Sequence, residues 1–253
     1  MVQERIRDLF EMHYPDYCGE NGHFLSQIEE YLTSDAIILD AGCGSGRMAS
    51  HDFRSRGKIV LGIDRAADVK ENGSLTHALR GTMEDMPLKD GSVDLILCRY
   101  VLEHLVEPTR AFREMSRVLR EKGKLVLLTP NLWHYVTLLS RLMPWEVHRW
   151  FNRAYGVADN DTFRTFYRAN TRRRIARLAS RAGLRVVRME SLETSPNYLE
   201  FSRLFYRLGI LYERMVSNVS WCSGLRVNII ATLEKNTNES VPAENTGVPS
   251  MRR

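Results

Sequence analysis

The sequence lacks long apolar runs and a hydrophobic leader. No apolar stretch approaches the ~20 residues that cross a bilayer, and residues 1–11 are charged where an export signal would be apolar. Of the 253 residues, 43% are hydrophobic, which is enough for one core. We therefore expect a cytoplasmic protein without a transmembrane segment.

Cysteine is scarce and has no paired pattern. The four cysteines, at positions 18, 43, 98 and 222, form no C-x-x-C pair and have no histidines at the spacing of a zinc site. This argues against a disulfide-rich secreted scaffold and against a structural zinc module. The prediction is a reduced protein that binds no metal.

Lysine is absent from the part of the chain where basic charge is concentrated. Residues 132–230 contain 16 arginines, no lysine and 7 acidic residues, whereas the whole protein has a net charge of +5. Guanidinium groups match phosphate and carboxylate geometry. Three partners therefore stay open: an acidic small molecule, an anionic membrane surface or RNA. Five of the arginines lie on a predicted helix over residues 171–183, where they can equally form a solvated face.

A glycine-rich turn follows the first predicted strand, residues 36–40, which ends at Asp40. The turn alternates glycine with small residues: Gly42, Cys43, Gly44, Ser45 and Gly46. Glycine adopts positive φ without strain and lets backbone N–H groups approach a ligand closely. A second apolar run, residues 59–63, ends at Asp64, and a carboxylate there can accept both ribose hydroxyls of an adenosine. The layout predicts a site for an adenosyl cofactor.

The glycine spacing distinguishes between adenosyl cofactors. The dinucleotide fingerprint is G-x-G-x-x-G, with a helix N-terminus facing a pyrophosphate, whereas this turn reads G-x-G-x-G. Asp40 would repel a pyrophosphate but attract the cationic amino-acid end of S-adenosylmethionine. At these residues the chain resembles the class I S-adenosylmethionine-dependent methyltransferases, in particular the methyltransferase-11-like group. A glycine turn in another α/β protein is the alternative.

The resemblance continues beyond the turn. Residues 81–88 and 90–98 are similar to the family's third-strand loop and fourth strand, and residues 99–105 to its signature after that strand. Relatives carry an acidic residue or Asn where Thr82 stands, so the adenine contact is expected to pass to the following residues, Met83, Glu84 or Asp85. The resemblance implies S-adenosyl-L-methionine as cofactor. The cofactor-binding residues expected on these grounds are Asp40, Gly42, Cys43, Gly44, Gly46, Asp64, Arg65, Met83, Glu84, Arg99 and Tyr100.

Alternating strands and helices predict an α/β fold, a Rossmann-like doubly wound and mostly parallel seven-stranded sheet. Strands are predicted at 36–40, 59–63, 75–80, 93–98, 124–129, 184–189 and 226–233, and a helix at 108–120. The resemblance implies that the last strand is antiparallel. We expect residues 1–235 to form one domain, with a helical N-terminal cover over 1–34. The polar residues 236–253 are expected to be disordered.

Two aromatic-rich insertions, residues 132–170 after strand five and residues 195–223 after strand six, are predicted to lie on the substrate side. Ligands of open α/β sheets bind beyond the carboxyl ends of the strands, and the first insertion starts at such an end. Core packing explains any single aromatic residue equally well, but the group indicates an apolar pocket. An exposed amphipathic face on the second insertion would favour a lipid acceptor.

Methyl transfer requires alignment of a nucleophile with the methyl carbon, and a hydroxyl acceptor also needs a general base. His104, just past strand four, is the first catalytic candidate. A positioning role is the alternative for it, because the family's Glu-His pair often has that role. His134 and Tyr135, just past strand five, are comparable candidates.

Motifs of other acceptor classes are missing. Residues 98–101 read C-R-Y-V instead of an N/D-P-P-Y-type turn, and only Glu103 stands where protein arginine methyltransferases carry two glutamates. The prediction is O-methylation of a small-molecule, glycan or secondary-metabolite acceptor. The alternatives are C- or O-methylation of a quinone or lipid precursor, RNA methylation through the arginine-rich segment, and a cofactor-binding subunit without activity. Nucleic acid is not the expected partner, peripheral membrane contact stays open, and the sequence does not specify the oligomeric state.

Overall fold

The computed structural model describes residues 2–46, 52–142 and 164–237. Its strands are β1 (Ile37–Ala41), β2 (Ile59–Asp64), β3 (His77–Arg80), β4 (Val93–Arg99), β5 (Leu119–Pro130), β6 (Leu184–Leu192) and β7 (Asn228–Lys235). Its helices are α1 (Val2–His13), α2 (Gly19–Ile28), α3 (Pro108–Val118), α4 (Tyr135–Leu142), α5 (Arg172–Arg181) and α6 (Arg203–Asn218). Short 3-10 helices cover Glu29–Tyr31, Val69–Glu71, Leu102–His104, Asn197–Leu199 and Ser220–Leu225.

The seven strands form one sheet in the order β3-β2-β1-β4-β5-β7-β6. Strands β1 to β5 are parallel to their neighbours, and β7 is antiparallel to both β5 and β6. The predicted fold class is confirmed, including the antiparallel last strand. The strand order reverses direction at β1 and β4, and crevices of this kind hold the ligands of open α/β sheets.

The main difference from the predicted elements is the length of β5. This strand begins at Leu119, five residues before the predicted start, and the predicted helix over 108–120 ends at Val118. Leu119 pairs with Val93, and the register then shifts before Leu95 pairs with Lys124. Lys122 has a φ of +63°. Such an irregularity adds residues to one strand without breaking the pairing, and an apolar pattern alone does not mark it.

Helices cover both faces of the sheet. Phe112 of α3 and Ile175 of α5 belong to the core cluster on one face, together with Ile96 of β4. Phe24 and Ile28 of α2 belong to the cluster on the opposite face. Strands buried on both sides are apolar almost throughout, which explains the continuous apolar runs of the sequence.

Helix α5 has the ends that the sequence predicts. The Thr171 side chain accepts a hydrogen bond from the backbone N–H of Arg174, and Gly183 has a φ of +71° just after the helix. All five arginines of α5 are exposed: Arg172, Arg173, Arg174, Arg177 and Arg181.

The N-terminal segment is helical, as predicted, and connects to the second insertion. Ile6 and Leu9 of α1 form a buried cluster with Tyr206 and Ile210 of α6. Both insertions contain helices, α4 in the first and α6 in the second. The part of the first insertion between residues 143 and 163, and the predicted disorder from residue 238 onward, lie outside the described residues.

Within the described ranges, no helix combines the length and apolar character needed to cross a bilayer. In the same ranges, no three His, Cys, Asp or Glu side chains come together as ligands for a metal ion.

Candidate functional site

The glycine turn after β1 needs glycine at two positions for reasons internal to the protein. Gly42 has a φ of +80°, and a Cβ there would lie 2.2 Å from Cγ2 of Val101. Gly46 has a φ of +77°, and its Cβ would lie 2.7 Å from Oδ1 of Asn72. Positive φ and close neighbours both exclude larger residues at these two positions.

Gly44 differs from its two neighbours. Its φ is +57°, but a Cβ added to it would meet no atom within 4 Å. The backbone at Gly44 therefore borders open space on the side where a ligand would approach.

Hydrogen bonds to the following loop fix the turn. The Gly42 N–H donates to the Ile63 carbonyl at 2.8 Å. The buried Asn72 side chain donates to the Cys43 and Gly44 carbonyls at 3.1 and 3.3 Å. Asn72 stands alone in a polar loop, so the sequence contains no signal that points to this role.

Asp64 extends from the carboxyl end of β2 toward the turn. Its carboxylate accepts hydrogen bonds from the backbone N–H groups of Gly44 at 2.9 Å and Ala66 at 2.8 Å. A carboxylate has about four acceptor positions, so both oxygens keep capacity for further donors. Asp64 thus suits a vicinal diol such as a ribose.

Asp40 occupies the bottom of the same cleft. Burial raises the pKa of Asp40 to about 6, the nearby Arg99 guanidinium lowers it, and the Asp64 charge raises it further. A cation seated beside Asp40 would favour its ionised form. Arg99 in turn donates to the Asn21 side chain of α2 at 2.8 Å, which links the N-terminal segment to the cleft.

The chain turns sharply after β4. Tyr100 has a φ of +57°, which is rare for a residue with a bulky side chain, and its N–H donates to the Leu128 carbonyl of β5 at 2.8 Å. This turn sets Val101 against Gly42. Burial raises the pKa of Tyr100, and the charge of Glu20 on α2 raises it further.

The other residues predicted for the cofactor lie at the rim or below it. Arg65 is exposed, and its carbonyl accepts from Nε of Arg80 at 3.3 Å. The Met83 side chain is buried in the core, whereas Glu84 is half-buried. A cofactor contact at Met83 would therefore come from its backbone.

His104 ends the 3-10 helix that follows β4. Its Nδ1 lies 3.1 Å from the Arg164 carbonyl, so the tautomer consistent with this contact has its proton on Nδ1 and a lone pair on Nε2. Partial burial lowers the pKa of His104 below its usual value, whereas the hydrogen bond with the Arg164 carbonyl and the Asp64 charge act against this shift. The net shift favours the neutral imidazole.

A buried polar chain lies directly behind His104. The Thr129 hydroxyl donates to Oε2 of Glu103 at 3.2 Å, and Nδ2 of Asn170 donates to the Thr129 hydroxyl at 2.7 Å. The Glu103 carbonyl accepts from the backbone N–H groups of Phe166 and Tyr167. Burial raises the pKa of Glu103 to about 7. These hydrogen bonds tie the 3-10 helix after β4, strand β5 and the segment before α5 together, and they position the loop that carries His104.

His134 and Tyr135 lie elsewhere along the same sheet edge. Their rings contact Tyr212 of α6, with centroids 5.6 and 5.0 Å from its ring. His134 follows β5, which is two strands from β1, about 10 Å at the usual strand spacing. Its ring pairs with Glu193, just past β6, and no contact between His134 or Tyr135 and the Asp40 or Asp64 carboxylates is found among the described residues. Their catalytic roles stay predictions.

His134 and Glu193 form a buried pair, with Nε2 3.8 Å from Oε1. Burial lowers the pKa of His134 to about 4 and raises that of Glu193 to about 8. At pH 7 both groups are thus neutral, and this is not an ion pair despite the short separation. A cavity of about 10 Å³ adjoins them, which is room for about one water molecule. Nδ1 of His134 is buried and has no partner among the described residues.

Comparison with known families agrees with this geometry. The family model described as a methyltransferase domain, Methyltransf_11, matches residues 39–127. The matched stretch contains the glycine turn, Asp64, the turn after β4 and His104.

Proteins with similar sequences are described as methyltransferases. A putative methyltransferase of Encephalitozoon cuniculi is 33% identical over 150 residues, which cover 58% of this chain and 65% of that protein. The malonyl-[acyl-carrier protein] O-methyltransferase of Yersinia pestis is 32% identical over 114 residues, which cover 44% of this chain and 42% of the relative. The matches thus span less than two thirds of these relatives' lengths.

A methyltransferase of Bacillus subtilis, YcgJ, is similar in both sequence and structure. It is 31% identical over 120 residues, which cover 42% of this chain and 47% of that protein. Its crystal structure superposes with a TM-score of 0.54 at 18% identity and covers 85% of this chain and 99% of that chain. The likeness in structure shows that the two proteins share a fold. Residues 39–127 are thus a class I S-adenosylmethionine-dependent methyltransferase domain of the Methyltransf_11 family, with S-adenosylmethionine as its cofactor.

Proposed function

We propose that this protein transfers the methyl group of S-adenosylmethionine to a hydroxyl oxygen of a small-molecule, glycan or secondary-metabolite acceptor, with His104 as the general base. The observation that carries the proposal is the position of His104 at the end of the 3-10 helix after β4, with its Nδ1 3.1 Å from the Arg164 carbonyl. A neutral imidazole is the form that accepts a proton.

The cleft residues fit the cofactor by chemistry. Asp64 would accept the ribose hydroxyls, and Asp40 would face the ammonium group, whose charge favours the ionised form of this carboxyl. The open face of Gly44 leaves space for the ligand beside the backbone. When bound, S-adenosylmethionine supplies a sulfonium methyl group that is electrophilic without further activation by the protein.

The remaining task of the protein is to orient the acceptor and take its proton. Nε2 of His104 would accept the hydroxyl proton while Nδ1 donates to the Arg164 carbonyl. The buried chain of Glu103, Thr129 and Asn170 fixes the loop on which His104 stands. General-base catalysis of this kind contributes about 10²–10⁴ in rate.

Aromatic rings stand near the carboxyl ends of the strands. Tyr100 follows β4 directly, and Tyr135, Tyr198 and Tyr212 line the cavity beside His134. These rings favour an acceptor with an apolar or ring-shaped body. A lipid-linked acceptor is the second candidate, favoured by the exposed apolar face of α6.

The acceptor class can be tested directly with methyl-deuterated S-adenosylmethionine. The protein is incubated with phenols, free sugars, lipid-linked sugars, quinone precursors and RNA, and products are identified by mass spectrometry. A deuterated methyl ether on a small or lipid-linked acceptor is the expected result. Label on carbon or on RNA would contradict the proposal.

The role of His104 is tested on the acceptor found in this way. His104→Ala should lower kcat by ~10²-fold or more and leave the affinity for S-adenosylmethionine unchanged. The wild-type rate should rise with pH through a pKa below the usual histidine value, and this limb should be absent in the variant. A variant with near-normal kcat would assign His104 a positioning role only.

A further inference from the structure

Helix α6 has apolar residues on two opposite faces. Its inner face packs against the protein: Tyr206 and Ile210 contact α1, and Gly209 lies against Pro196. The presence of glycine at 209 allows this approach, because a Cβ there would lie 2.5 Å from the Pro196 ring. The inner face is therefore sufficient to hold the helix in place.

The outer face carries a second apolar row, which we name the apolar ridge. It consists of Leu204, Leu208, Leu211 and Met215, with exposed fractions of 65%, 50%, 66% and 46%. The spacing i, i+4, i+7, i+11 aligns these side chains along one face of the helix. Single exposed apolar residues are ordinary, but a contiguous row of this kind marks an interaction surface.

The apolar surface continues beyond both ends of the ridge. Phe201 and Phe205 lie at its start with ring centroids 5.4 Å apart, and Trp221, 84% exposed, follows its end. The contact of Tyr135 with Tyr212 joins α6 to α4. Helix α4 itself exposes three leucines: Leu138, Leu139 and Leu142.

Arginines accompany the ridge on one side. Arg203, Arg207 and Arg214 have the spacing i, i+4, i+11 and are all exposed. Within the part of the chain that the structure describes, Arg203 and Arg207 form no ion pair. The ridge also lies within residues 132–230, which contain 16 arginines and 7 acidic residues.

We infer that the apolar ridge and its arginines form a docking surface for an anionic membrane. A helix with an apolar face beside a row of cations lies in the plane of a bilayer, with the apolar side chains below the headgroups and the cations at the phosphates. Tryptophan is favoured at this boundary, as at Trp221. Charge complementarity favours the membrane over a second copy of this chain, because a second copy would add another row of arginines.

Docking in this way would bring Tyr198, which is only three residues before Phe201, close to the bilayer. Tyr198 lines the cavity beside His134, so an acceptor anchored in lipid would approach the protein on that side. This consequence rests on the proposed function, whereas the docking itself does not.

The test is co-sedimentation of the full chain with vesicles of phosphatidylcholine alone and of phosphatidylcholine mixed with phosphatidylglycerol. The expected result is binding ~10-fold or more tighter to the anionic vesicles, weakened by added salt. The double variant L208E/L211E should lose this binding by ~10-fold or more. R203E/R207E should lose the preference for anionic vesicles.

Val187→Glu is the matched control, because Val187 is an exposed apolar residue, 43% accessible, on the edge strand β6. It should bind vesicles as the wild type does. Each variant is also tested for stabilisation by S-adenosylmethionine, which reports folding and the cofactor site independently of lipid.

Three results would overturn the inference. The first is a wild-type protein that binds neither vesicle, and the second is vesicle binding that survives in L208E/L211E. The third is concentration-dependent self-association in sedimentation velocity that L208E/L211E abolishes while vesicle binding is absent, since that result would assign the ridge to a second copy. Loss of methyl transfer with vesicle binding intact would count against the proposed function alone.

Discussion

At the scale of single residues, the glycines of the turn serve two different purposes, internal packing and room for a ligand, which the sequence alone does not distinguish. Gly42 and Gly46 are needed because the protein itself leaves no room for a Cβ, whereas Gly44 borders open space. Stability and ligand binding should therefore respond differently to the same change at neighbouring positions.

Alanine substitutions at Gly42 and Gly44 test this difference. Gly42→Ala places a Cβ against Val101 at positive φ, and it should lower the free energy of unfolding by roughly 2–4 kcal/mol. Gly44→Ala should cost only about 1–2 kcal/mol, the strain of its positive φ, yet weaken S-adenosylmethionine binding at least as much as Gly42→Ala does. Denaturant unfolding and isothermal titration calorimetry measure the two quantities. Gly73→Ala, where an added Cβ would meet no atom within 4 Å, is the control. Equal stabilities for the Gly42 and Gly44 variants would contradict the interpretation.

The buried pair of His134 and Glu193 makes stability depend on pH. The pKa of Glu193 is raised from 4.5 to about 8, so the folded state holds a proton that the unfolded state releases. This contribution is complete below pH 4.5 and is lost as the pH rises through 8. His134 acts in the opposite direction: its pKa is lowered from 6.5 to about 4, so its contribution is present above pH 6.5 and is lost as the pH falls through 4.

Glu193→Gln removes the first of these dependences and retains an oxygen that can accept from the Val227 N–H. The variant should be more stable than the wild type above pH 8, by on the order of 2 kcal/mol, and close to it at pH 5. Thermal unfolding between pH 5 and 9 measures the difference. Glu200→Gln, at an exposed position, serves as the comparison. Parallel curves for Glu193→Gln and the wild type would show that Glu193 does not hold this proton.

At the scale of elements, the chain of Glu103, Thr129 and Asn170 holds three segments in one arrangement. Thr129 is fully buried in β5 and both donates and accepts within this chain. Removing its hydroxyl would leave the buried Glu103 and Asn170 each with one hydrogen bond fewer.

Thr129→Val keeps the shape of the side chain and removes that hydroxyl. It should lower the free energy of unfolding by about 1–3 kcal/mol, and it should reduce kcat by loosening the loop that carries His104. Urea unfolding and the methyl-transfer rate are the measurements. Thr109→Val, in the first turn of α3, is the control, since the Thr109 hydroxyl has no hydrogen bond among the described residues. If Thr129→Val were as stable as the wild type, the hydrogen bonds of Thr129 with Glu103 and Asn170 would contribute no net free energy to folding.

Element types were predictable from the sequence where the apolar pattern was continuous. Strands β1, β2 and β4 begin and end within one residue of their predicted limits, because strands buried on both faces leave an unbroken apolar run. The early start of β5 was not predictable, because the pairing of Leu119 with Val93 depends on a register shift. The same applies to Asn72, whose contacts with the glycine turn come from 28 or 29 residues away.

The candidate site was predictable in its carboxylates and glycines, since their order along the chain reflects the chemistry of the cofactor. The contacts of His134 with Glu193 and Tyr212 were not, because they depend on how β6 and α6 pack beside the end of β5. The exposure of the apolar ridge was likewise hidden, since a helix with two apolar faces reads in sequence as a buried one.

At the scale of the whole molecule, cofactor binding should appear as added stability. A ligand at about 100 times its dissociation constant adds about 2.7 kcal/mol, which for a domain of this size raises Tm by roughly 5–10 °C. S-adenosylmethionine and S-adenosylhomocysteine should both produce this rise in a thermal-shift titration, and NAD should not.

Asp64→Ala should weaken S-adenosylmethionine binding by about 1–3 kcal/mol, and Asp8→Ala should not. No shift with either adenosyl ligand would favour a protein that needs a partner to complete its site.

The position of β7 has a consequence for how the chain folds during synthesis. β7 is the last strand among the described residues but pairs on both sides within the sheet, with β5 and with β6. Until residues 228–235 leave the ribosome, β6 has no strand to pair with, whereas β1 to β5 can already form a parallel sheet that contains the cofactor cleft. A nascent chain that stops before β7 should therefore present two open strand edges, which are sites of aggregation. The cleft would be assembled first, and the edges of β5 and β6 would be covered only when β7 pairs with both.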